Sequence, residues 1–84
     1  MTLNEYFINW DPMGFIEDLG APRDEYSYEV AQIKVGFKSD MSATDVANLI
    51  YKVFDEHIGV GESPNFKEEC NQKADDIKEI LLNR

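Results

Sequence analysis

Two triplets in this 84-residue chain carry the residue types that bind metals or move protons, Asp55-Glu56-His57 and Glu68-Glu69-Cys70. Each sets the only histidine or the only cysteine directly behind two carboxylates. Imidazole and thiolate are common metal ligands and nucleophiles, and a carboxylate is the usual group that orients them. Adjacent residues of a helix diverge by about 100°, however, so neither triplet converges on one ion or one reacting atom without help from another element. His57 and Cys70 also fall on apolar stripes, where packing is the expected role. No catalytic, cofactor or metal residue is therefore expected. The alternative is a small hydrolase or metal-dependent enzyme using His57 with nearby carboxylates, which requires a pocket giving His57 at least two polar partners.

Other patterns fall short of a site. Gly59-Val60-Gly61 precedes a helix as a phosphate-binding loop does, but a helix rather than a strand leads into it and Glu62-Ser63-Pro64 follows. No segment has the alternating Asp/Asn ligands, central glycine and closing glutamate of a calcium loop. The acid pairs Glu17-Asp18 and Asp24-Glu25 lack a converging His, Ser or Lys and read as solvated faces.

Charge and aromatics give a better lead. Eight basic and 17 acidic residues leave a net charge of −9, of which −6 falls in residues 1–29. Phosphate recognition needs a basic patch, so nucleic acid is excluded as a partner class. The same N-terminal third holds Tyr6, Phe7, Trp10, Phe15, Tyr26 and Tyr28. Aromatics among acids suit a surface that meets a basic protein. The residues expected to form that face are Trp10, Glu17, Asp18, Asp24, Glu25, Tyr26 and Tyr28. The chain is expected to act as a monomer or as a homodimer in which exposed aromatics face each other.

The elements that position these residues are helical. Thr2-Leu3-Asn4-Glu5 has the spacing of a reciprocal helix cap, which predicts a short helix to about Asn9. Pro12 interrupts it, and Asp11 before Pro12 reads as the cap of a second short helix ending at Leu19-Gly20. From Asp24 to Lys38 two periods compete. Tyr26, Val30, Ile33 and Phe37 make a helical stripe, whereas Ile33, Val35 and Phe37 alternate as in a strand. The helix covers more of the segment, with Asp24 as cap and Gly36 as a left-handed stop. Ser42-Ala43-Thr44-Asp45 caps the next helix, whose stripe is Val46, Leu49, Ile50, Val53, Phe54 and His57, ended by Gly59. Ser63 and Pro64 start the last helix, with the stripe Phe66, Cys70, Ala74, Ile77 and Leu81. The expected architecture is all-α, a single domain over residues 1–84: a small bundle of three longer helices with a broken N-terminal helix pair. One cysteine excludes an internal disulfide framework, so apolar packing must carry stability.

Trp10-Asp11-Pro12-Met13-Gly14-Phe15, then Asp24-Glu25-Tyr26, then a helix of the type Val46-Ala47-Asn48-Leu49-Ile50-Tyr51-Lys52-Val53-Phe54 resembles the YugE-like family of small bacterial proteins with a Trp-Asp-Pro-x-Gly start. The resemblance covers most of the chain. It implies an all-helical bacterial protein, with relatives of antidote or immunity type, and brings no catalytic residues. The first dozen residues lack the basic start and long apolar run of a signal peptide, and no run reaches the roughly 20 apolar residues of a membrane span. The expected location is the cytoplasm, away from membranes.

Overall fold

The computed structural model describes residues 1–22, 24–60 and 64–83. It holds four helices, α1 (Leu3–Trp10), α2 (Ser27–Gly36), α3 (Ala43–His57) and α4 (Pro64–Leu82), and no strand among the described residues. Both expected N-terminal boxes form. In α1 the Glu5 amide donates to Thr2 Oγ1 at 3.1 Å while the Thr2 amide donates to Glu5 Oε1 at 3.0 Å. In α3 Ser42 and Asp45 exchange the same pair of bonds at 3.1 Å each. Two otherwise orphaned amides at each helix start are thereby satisfied. The expected Ser63 cap lies outside the described residues.

The stripes read from the sequence face one core, except that His57, the last member of the α3 stripe, is exposed. In α3, Val46, Ala47, Ile50, Val53 and Phe54 are buried, with Leu49 half-buried; in α4, Phe66, Cys70, Ala74, Ile77 and Leu81 are buried. α3 and α4 form the principal helix pair, α2 packs on α3, and α1 bridges α2 and α4. Phe7 of α1 sits at the centre, its ring centroid 5.8 Å from Phe54 and 5.3 Å from Trp10. No helix among the described residues is long and apolar enough to cross a membrane.

Three local expectations need correction. Residues 12–19 form successive turns rather than a second short helix. Asp11 takes the left-handed conformation, φ 47° and ψ 59°, and closes α1 as its C-cap, its amide donating to the Phe7 carbonyl at 2.8 Å. Aspartate tolerates that conformation better than most residues, so an aspartate before a proline serves a helix end here, not a helix start. In the second place, α2 starts at Ser27 after Tyr26 and not at an Asp24 cap. Finally, Gly36 has no positive φ; a Cβ there would come 2.7 Å from Leu49 Cδ1, so glycine is needed for the close approach of α2 to α3. Gly59, expected to end α3, takes the left-handed conformation, with φ 81°.

Candidate functional site

The connection between α1 and α2 carries five of the expected face residues, Glu17, Asp18, Asp24, Glu25 and Tyr26, and a polar knot holds it in shape. Asp11 Oδ1 accepts from the Tyr26 hydroxyl at 2.5 Å and from the Ile16 amide at 3.2 Å, while Oδ2 accepts from the Glu17 amide at 3.0 Å. The Tyr26 hydroxyl also accepts from the Met13 amide at 3.1 Å. Burial alone raises the carboxyl of Asp11, but the hydrogen bonds from Tyr26 and from backbone amides outweigh it and hold Asp11 below the usual carboxylate range. Burial, and then the hydrogen bond to the same carboxylate, raise the Tyr26 phenol. On this frame Glu17, Asp18, Asp24 and Glu25 are all exposed, as is Leu19 at 73%. Among the described residues none of these four carboxylates forms an ion pair.

The aromatic part of the expected face is displaced inward. Tyr26 is fully buried and offers no surface to a partner; its ring stacks on Phe15 and lies against Phe7 and Phe54. Trp10 is half-buried, stacked on Phe66, and its indole N–H donates to Glu69 Oε1 at 3.2 Å, which closes α1 onto α4. Only Tyr28 of the aromatic candidates is well exposed, at 50%.

Tyr28 leads to a second constellation, between α2 and α3. Its ring lies 4.2 Å from that of His57, and His57 Nε2 lies 2.9 Å from Glu29 Oε2. The Glu29 side chain is 2% exposed and that of His57 45%. Glu29 is the only buried charged residue among those described, and its Oε1 has no hydrogen-bond partner. With Nε2 committed to Glu29, Nδ1 is the ring nitrogen left for other chemistry. A small notch of about 100 Å³ beside the ring is lined by Tyr28, Gln32, Val53, Glu56 and His57. His57 thus packs on α2, not within the core. The signal for Glu29 was present in the sequence: it lies three residues after Tyr26 and four before Ile33, on the apolar stripe itself.

Cys70 is a core residue, as its stripe position indicated. Burial, then the charge of Glu69, push its thiol up to about 12, which leaves it protonated and unreactive at neutral pH. Among the described residues no group of three or more His, Cys, Asp or Glu side chains is placed to hold a metal ion. No family model matches the chain, and neither the curated proteins nor the solved structures contain a match to it.

Proposed function

We infer that this protein is a non-enzymatic binding module for a basic partner, with the acidic connection between α1 and α2 as its face. The observation behind this reading is that Glu17, Asp18, Asp24 and Glu25 are exposed together with Leu19 on a segment pinned by Asp11 and Tyr26. Exposed carboxylates on a fixed frame attract a cationic surface, and an exposed leucine gives it an apolar contact. An immunity or antidote protein acting on a cationic toxin is one instance, in keeping with the YugE-like resemblance and with a bacterial cytoplasmic setting.

Titration calorimetry with an oligolysine peptide tests the reading. Binding should weaken steeply between low and high ionic strength, and a variant with Glu17→Gln, Asp18→Asn, Asp24→Asn and Glu25→Gln combined should bind more weakly at low salt and with a shallower salt dependence. Affinity indifferent to both salt and these substitutions removes the proposal.

The Glu29–His57 contact favours a second reading, a small hydrolase or metal-dependent enzyme using His57. A buried carboxylate that fixes one ring nitrogen is the arrangement that orients a general base. Esterase assays of the protein beside its His57→Ala variant separate the two; equal rates dispose of this second reading.

A further inference from the structure

The seam between α1 and α4 is closed by two polar rungs and then opens. Trp10 donates to Glu69 at 3.2 Å, and the Tyr6 hydroxyl donates to Asp76 Oδ2 at 3.0 Å. Beyond Tyr6, towards the start of α1, the helices enclose a groove of about 710 Å³ that runs under the last turns of α4 and reaches Lys34 of α2. That volume is in the range that takes several side chains of a ligand. Leu3 and Leu81 form a buried floor, and Met1 and Ile80 add apolar wall. Met1, one of the large exposed apolar side chains among the described residues, is 75% exposed. Against the ammonium of Lys34 and the α-amino group of Met1, the groove presents three carboxylates, those of Glu5, Asp76 and Glu79. Glu5 is held in its charged form by hydrogen bonds from the Thr2 backbone and hydroxyl.

We propose that this groove is a docking site for an amphipathic helical segment of the basic partner, whose apolar row seats on Leu3, Ile80 and Leu81 while its Lys or Arg residues meet Glu5, Asp76 and Glu79. The proposal rests on the reading that the partner is basic and adds an apolar anchoring point outside the acidic connection. Apolar burial holds such a segment, and the excess of carboxylates selects a cationic one over an anionic one.

The test is an NMR titration of the uniformly ¹⁵N-labelled full chain with three synthetic helical peptides: Leu/Lys amphipathic, a Ser/Lys control of equal charge, and a Leu/Glu control. The Leu/Lys peptide should shift the amides of Leu3, Tyr6, Lys34 and Ile80, and neither control should. Ile80→Ser should weaken that peptide by roughly tenfold, the loss expected when one apolar contact is given up. Glu79→Lys, a surface change that leaves the core intact, should weaken it as well. Shifts confined to residues 16–25 overturn the groove and leave the basic-partner reading standing. Equal entry of the Leu/Glu peptide overturns both the charge selection and that reading. No shift with any peptide, or a free protein already dimeric through these same residues, overturns the groove as a partner site.

Discussion

The buried carboxylate of Glu29 lies 2.9 Å from Nε2 of His57, joining the first turn of α2 to the last residue of α3. One oxygen of that carboxylate is partnered and the other, though buried, is not. His57 is therefore the group that makes the burial of Glu29 tolerable. His57→Ala is expected to cost about 1–3 kcal/mol, the range for stranding a buried polar group. Adding Glu29→Leu should restore most of the loss, because an apolar replacement of a buried pair is often neutral or stabilising. Urea unfolding at neutral pH measures both; a double variant no more stable than His57→Ala shows that the contact is incidental.

Tyr26→Phe removes one hydroxyl that serves two neighbours, donating to Asp11 and accepting from Met13. A loss of about 1–3 kcal/mol is expected at neutral pH. Its pH dependence has a definite sign. Hydrogen bonding lowers Asp11 in the folded protein, so its contribution is complete above the unfolded carboxylate value of about 4 and disappears as pH falls through the lower folded value. The gap between parent and variant should therefore narrow on acidification. Urea midpoints at neutral pH and near pH 3 give the two gaps, and a gap that widens in acid contradicts the assignment.

At the alkaline end two phenols act together. Burial, then the hydrogen bond and charge of Asp76, push Tyr6 up to about 12, and Tyr26 is raised further by burial and Asp11. Unfolded tyrosine releases its proton near pH 10. The unfolded chain then holds fewer protons than the folded one, so stability falls as pH rises from about 10 towards 12. Tyrosinate absorbance should show part of the tyrosine titrating only together with loss of helical circular dichroism. In Tyr6→Phe the alkaline transition should move to higher pH; an unmoved transition removes Tyr6 from the account.

What could be read from the sequence was what local rules determine. The Thr2/Glu5 and Ser42/Asp45 boxes need four consecutive residues, and the stripes of α3 and α4 need only the helical period, so both appear where expected. Asp11 was misread because a residue before proline suits a helix start, whereas its carboxylate is used by amides five and six residues on and by a tyrosine fifteen away. Gly36 was misread because a stop and a close approach call for the same residue, and only Leu49 across the interface distinguishes them. Of the candidate face, the acids were legible because isolated charges stay in water. Tyr26 was not, because a phenol can be exposed or can bury its ring while keeping one polar contact.

Phe54 is the side chain on which every part of the bundle meets, and it provides the most direct test of the packing. Its ring centroid lies 5.8 Å from Phe7 of α1, 6.1 Å from Tyr26 at the head of α2 and 5.3 Å from Phe66 of α4, and the residue is fully buried. Deleting it leaves a hole bordered by three rigid rings that cannot collapse together without moving their helices, so the penalty should sit at about 3–5 kcal/mol. Single domains have only about 0.05–0.15 kcal/mol of stability per residue, so in an 84-residue chain this loss removes a large share of the total. Leu19→Ala is the control: that side chain is 73% exposed and outside the core, so its removal should change stability by only about 0.5 kcal/mol. Thermal melts followed by circular dichroism should show a large drop for Phe54→Ala beside a small one for Leu19→Ala. Equal drops would mean that the ring cluster around Phe7 does not organise the fold.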